Sequence, residues 1–137
     1  MPNPVVPRQV QLQIARTSPA FAYMPTREPV GFRFAGWSRA AGGGGVITLA
    51  DKAGWKIRFV ALRDAGACRA GMEKSFQLDG NKVYWSHTAV EQRAWRCLTD
   101  LKGRRVRLVA SSTQPPSRFA NVGLGQVAAS GKRIAGA

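Results

Sequence analysis

The chain has 137 residues, 45% of them hydrophobic and 20% charged, the proportions of a globular protein long enough to bury one core without staples. Its 21 lysines and arginines against seven acidic residues give a formal charge of +14, and a surplus of that size speaks about partners rather than fold. One histidine and two cysteines 29 positions apart do not supply the ligands or spacing of a zinc site, and no apolar run reaches the roughly eighteen residues that span a membrane.

The opening Met-Pro-Asn-Pro-Val-Val-Pro has no basic n-region and no apolar h-region. That predicts a cytoplasmic protein, or one assembled into an intracellular particle. Cys68 and Cys97 could form one disulfide, but no secretory signal supports an oxidising compartment.

Segment 8–16 alternates, with Val10, Leu12 and Ile14 on one face and Gln9, Gln11 and Gln13 on the other. This is the period of a half-buried strand. Residues 17–29 contain Pro19, Pro25 and Pro29 and read as a loop; Phe21, Tyr23 and Met24 predict that it folds back over the core. A second strand is expected over 30–39, then a hairpin tip at the glycine run 42–45, then a strand over 46–50. Asp51 to Gly54 reads as a turn. Segment 55–63 is the next strand, with Trp55, Ile57 and Phe59 inward and Lys56 and Arg58 outward.

Residues 64–73 read as a loop or short helical turn. Asp79-Gly80 between the apolar runs 76–78 and 82–85 is a hairpin signal. Thr88 and Glu91 form a T-x-x-E capping box, which predicts a helix over 89–101 with Val90, Ala94, Cys97, Leu98 and Leu101 as its buried stripe and Gly103 as its stop. Arg93 and Arg96 would then lie on adjacent turns, most simply as a solvated face. Arg104 to Ala110 reads as a last strand, Val106 and Leu108 inward and Arg105 and Arg107 outward. From 111 onward Pro115, Pro116 and scattered Gly, Ser and Ala predict an extended or disordered basic tail over 111–137. The expectation is therefore a mainly β domain over 1–110. It would be a small antiparallel β-barrel or curved sheet of five to seven strands with one amphipathic helix, and a five-stranded oligonucleotide-binding barrel is one form of it.

The strongest functional signal is cations alternating with apolar residues on strands. Same-face neighbours such as Lys56 and Arg58, or Arg105 and Arg107, stand about 6–7 Å apart, near the spacing of phosphates on a stretched single strand. A merely wetted face would mix in Asp and Glu. Tyr84 beside Lys82, and then Trp37, are the candidates for stacking a base. Arg104, Arg118, Lys132 and Arg133 add charge after Asp100, the last acidic residue.

Catalytic signals are weak. Ser86 and His87 are adjacent and would point to opposite strand faces. The carboxylates are scattered, and Gly123-Leu124-Gly125 lacks the surroundings of a dinucleotide fingerprint. The sequence thus predicts a non-enzymatic protein without cofactor or metal, binding DNA or RNA backbone with little base specificity. The rival expectation is a structural subunit of a viral or ribonucleoprotein particle, or an inhibitor docking on an acidic protein surface.

Overall fold

A computed structural model describes residues 4–41, 44–64, 68, 74–113 and 121–136. Helix α1 (Arg8–Thr17) leads through a 3-10 turn (Pro19–Phe21) into the short β1 (Tyr23–Met24). The strands β2 (Arg33–Arg39), β3 (Gly45–Ala50), β4 (Lys56–Arg63), β5 (Lys74–Leu78), β6 (Asn81–His87), β7 (Gln92–Thr99) and β8 (Arg105–Ser112) follow. The chain then forms α2 (Asn121–Ala129) and β9 (Lys132–Arg133). The seven long strands make one antiparallel sheet in the order β2-β3-β4-β8-β7-β6-β5, and β1 pairs with β9.

The protein is mainly β, as the alternation predicts, but the sheet is not closed into a barrel. Strands β2 and β5 stand at its two edges. Closure is unnecessary because a second layer covers the inner face. Ile47, Leu49, Ile57, Phe59, Val83, Val106 and Leu108 point into that layer and are fully buried. Ile14 of α1, Leu124, Val127 and Ala128 of α2, and Ile134 beyond β9 meet them in one core. Each fully buried large aliphatic or aromatic side chain contributes about 1.5–3 kcal/mol.

Three local expectations are corrected. Segment 8–16 is helix, not strand. Gln11, Ile14 and Ala15, spaced i, i+3, i+4, are its buried positions. Gln11 breaks the polar–apolar alternation because it is buried. Its Nε2 donates to the Val6 carbonyl at 2.8 Å, and its Oε1 accepts from Arg8 Nη1 at 2.8 Å. Nine residues fit both periods, and only the core on one side selects between them.

Segment 89–101 holds strand β7 (Gln92–Thr99) between two turns, not a helix. Thr88 performs the capping chemistry, but on a hairpin turn. Its Oγ1 accepts from the N–H groups of Val90 and Glu91 at 3.3 and 3.2 Å, and its own N–H donates to the Glu91 carbonyl at 2.8 Å. Val90 and Leu101, the ends of the expected stripe, are 74% and 97% exposed. Pairing with β6 on one side and β8 on the other satisfies the backbone that a helix would have satisfied internally.

The C-terminal segment is not a loose tail where it is described: 121–136 holds α2 and β9, and supplies four of the buried core residues named above. Small residues serve because the sheet already provides the large ones. A Cβ at Gly125 would stand 2.6 Å from Phe76 Cζ, and one at Gly131 2.5 Å from Leu108 Cδ1. Arg96 of β7 anchors the far end of α2. Its Nη2 donates to the Gly131 carbonyl at 2.6 Å and its Nε to the Ala128 carbonyl at 3.3 Å. A cation at a helix C-terminus complements the macrodipole. Burial lowers the Arg96 pKa, against a smaller opposing effect of Tyr23.

Other expectations hold. The β5–β6 turn has positive φ at both Asp79 (52°) and Gly80 (79°), the geometry of a two-residue I′ hairpin. Lys56 and Arg58 are exposed while Ile57 and Phe59 are buried. Tyr23 is 3% exposed, with Phe21 and Met24 packed against the core.

A candidate polyanion-binding face

The face of the sheet opposite the helices is where the strand cations emerge. Cross-strand register shows which of them share it. Arg58 stands opposite Ser111, and Ser111 opposite Arg93, which in turn faces Ser86. Arg33 stands opposite Ala50, and Ala50 opposite Lys56. Arg107 pairs with Cys97, and Arg105 with Thr99; Lys82 lies two residues before Tyr84 on β6. Among the described residues this face therefore carries Arg33, Lys56, Arg58, Lys82, Arg93, Arg105 and Arg107.

Two carboxylates border the set, and each is matched already. Glu91 Oε2 pairs with Arg93 Nη2 at 3.2 Å, and Asp64 Oδ2 with Arg105 Nε at 3.3 Å. The Asp64 side chain is 2% exposed while that of Arg105 is 71% exposed, so the carboxylate is shielded and the guanidinium remains open to solvent. Arg33 and Arg93 on this face fall outside the set expected from sequence. The predicted helix hid the alternation around Arg93, and the register of β2 was not legible locally.

Tyr84 misses the aromatic expectation on exposure, and Trp37 on the face it occupies. Tyr84 lies on the outer face beside Lys82, whose Nζ stands 5.2 Å from its ring centroid. Yet Tyr84 is 5% exposed. Its ring stacks on Trp95 at 5.9 Å and 13°, and its hydroxyl donates to the Cys68 carbonyl at 2.9 Å. Cys68 is held there by a disulfide to Cys97 of β7, with a Cα–Cα distance of 6.2 Å. The connection between β4 and β5 has to pass three intervening strands, and this bond fastens it above the aromatic pair. Trp37 points the other way, to the helix side, and donates from Nε1 to Gln13 Oε1 of α1 at 2.9 Å. Neither residue is an open stacking platform.

Of the remaining cations named from sequence, Arg104, Lys132 and Arg133 are not on this face. Arg104 Nη1 donates to the Ala20 carbonyl at 3.1 Å and to Asp100 Oδ2 at 3.2 Å, and its guanidinium lies 5.7 Å from the Phe21 ring. Arg133 Nη2 donates to the Pro19 carbonyl at 2.8 Å. Both tie down the 3-10 turn. Lys132 is exposed on β9, and Arg118 lies outside the described residues. Asp100 organises this region. Burial pushes its pKa up, but the N–H groups of Arg104 and Lys102 and the charges of Arg104 and Arg133 outweigh that and hold it below the usual carboxylate range.

Register puts Ser86 opposite Arg93 and His87 opposite Gln92, on opposite faces. The His87 ring lies 5.0 Å from that of Trp85. Among the described residues no three of His, Cys, Asp and Glu gather where they would hold a metal ion. No helix of the described residues is long and apolar enough to cross a membrane. No protein-family model, curated protein or solved structure matches the chain.

Proposed function

We propose that this is a non-enzymatic nucleic-acid-binding protein that recognises the phosphate backbone, with little base specificity, through the outer face of its sheet. One observation carries the reading: among the described residues, seven cations share that face with two bordering carboxylates, each already paired to an arginine. Five of those cations have no matched carboxylate among the described residues, and a polyanion is the partner that neutralises such an array while releasing counterions. Tyr84 and Trp95 are buried and Trp37 is turned to the helix side, which favours recognition of the backbone over base stacking.

The Cys68–Cys97 bond favours maturation in an oxidising compartment over the cytoplasmic setting expected from sequence. A salt-titrated binding series against single-stranded DNA, duplex DNA and RNA tests the reading. With five phosphates neutralised, the log–log slope is expected near −3.5 for single strands and −4.5 for duplex, about −0.7 and −0.9 per contact. No binding to any of the three at low salt rejects it.

A second reading has one observation in its favour. The edges of β2 and β5 are unpaired among the described residues, as suits a subunit that adds strands to its neighbours in a particle. Light scattering after size exclusion separates the two readings. A discrete large oligomer free of nucleic acid supports assembly; a small species with raised absorbance at 260 nm supports nucleic-acid binding.

A further inference from the structure

One end of the outer face forms a cleft of about 260 Å³, bounded by Gly54, Lys56, Arg58, Glu91, Ser111 and Thr113. The sheet register builds it. Arg58 stands opposite Ser111, so guanidinium and hydroxyl start from Cα atoms about 5 Å apart. Lys56 follows on the same face about 6–7 Å away. Gly54 lines the cleft in the turn before β4: its φ of +89° is a left-handed turn conformation, and nothing stands within 4 Å of where a Cβ would be. Glu91 closes the opposite side, its Oε2 engaged by Arg93 Nη2 at 3.2 Å. Neither Lys56 nor Arg58 takes part in an ion pair among the described residues.

We infer that this cleft seats one phosphate dianion, with the terminal phosphate of a nucleic-acid strand as its source. The inference rests on the backbone-binding function proposed above and gives it a preference for a phosphorylated strand end. A phosphomonoester carries nearly two charges and three terminal acceptor oxygens. Two unmatched cations and two hydroxyl donors answer that group more fully than a bridging phosphodiester, which has one charge and two free oxygens. Glu91 bounds the β7 side and repels a further phosphate there, so a strand ends here while its remaining phosphates run the other way, toward Arg33, which shares the face with Lys56 across Ala50. Inorganic phosphate shares the chemistry and is the second arm of the test.

Backbone amide NMR provides the readout. Sodium phosphate is expected to shift the amides of Gly54, Arg58 and Thr113, whereas sodium chloride at the same ionic strength leaves them in place. A short oligothymidylate with a 5′ or 3′ phosphate is expected to bind roughly tenfold tighter than the same strand ending in hydroxyls, the effect of one charge-assisted contact. Arg58→Ala and Lys56→Ala each abolish that difference; Lys132→Ala, away from the cleft, preserves it. Equal binding of the phosphorylated and unphosphorylated strands, with phosphate no better than chloride, overturns the inference and leaves the backbone-binding function standing. Amide shifts with phosphate but no binding of either strand support the phosphate seat and overturn the nucleic-acid source together with the proposed function.

Discussion

Removing the Cys68–Cys97 bond has a calculable cost. The bond closes a loop over a sequence separation of 29. In the chain-entropy description, opening a loop of that size returns about 3.6 kcal/mol of freedom to the unfolded state at 25 °C. Unfolding entropy near 2.1 cal/mol/K per residue makes that about 12 °C of melting temperature for a chain of this length. The loss is also local. The Tyr84 hydroxyl donates to the carbonyl of Cys68, and Tyr84 and Trp95 are 5% and 7% exposed beneath it. Freed from Cys97, Cys68 no longer holds that acceptor in place, and Trp95 becomes wetter. The double variant Cys68→Ser/Cys97→Ser, and the wild-type protein in excess dithiothreitol, should both melt lower by about that amount and show red-shifted tryptophan emission. Intact mass should read about two daltons low against the reduced form. A melting temperature unchanged within about 2 °C, with unchanged emission, would falsify the placement of Cys68 over the aromatic pair and the closure argument together.

Two further outcomes are expected. Asp100, whose pKa is held down in the folded state, contributes stability that is present above its unfolded pKa of about 3.9 and is lost as pH falls through the folded value. Asp100→Asn should therefore melt below wild type at neutral pH, with the gap closing under pH 4; a gap that stays constant from pH 7 to pH 3 contradicts the assignment. Gly131→Ala places a Cβ 2.5 Å from Leu108 Cδ1 and 3.0 Å from Phe59 Cζ, both in fully buried side chains. Overpacking of this kind costs about 1–3 kcal/mol, and urea denaturation should show the lowered midpoint. An unchanged midpoint would mean that Gly131 is not pressed against those side chains.

The cations of the candidate face were only partly legible in the chain. Lys56 and Arg58 could be placed because Ile57 and Phe59 alternate with them in one unbroken strand. Arg105 and Arg107 could be placed for the same reason around Val106 and Leu108. Arg33 and Arg93 could not, since their membership follows from which strands lie beside them. Arg104 and Arg133 read as free charge, yet they hold the carbonyls of Ala20 and Pro19, more than eighty residues away in the chain. Tyr84 read as exposed because no local pattern announces that Cys68 is fastened above it.

The sequence by itself determined the charge surplus, the strands around Ile57 and Phe59 and around Val106 and Leu108, and the Asp79-Gly80 hairpin. Those signals depend only on side-chain order and on the backbone angles that a residue tolerates. Tertiary structure alone decided that 8–17 is helix, that 92–99 is strand, and that a Gly- and Ala-rich ending is part of the core. In each case two conformations are nearly balanced locally. For α1, one wall of buried side chains tips the balance. For β7, it is a neighbouring strand on each side. For the C-terminal segment, it is the space that Gly125 and Gly131 leave for Phe76, Phe59 and Leu108.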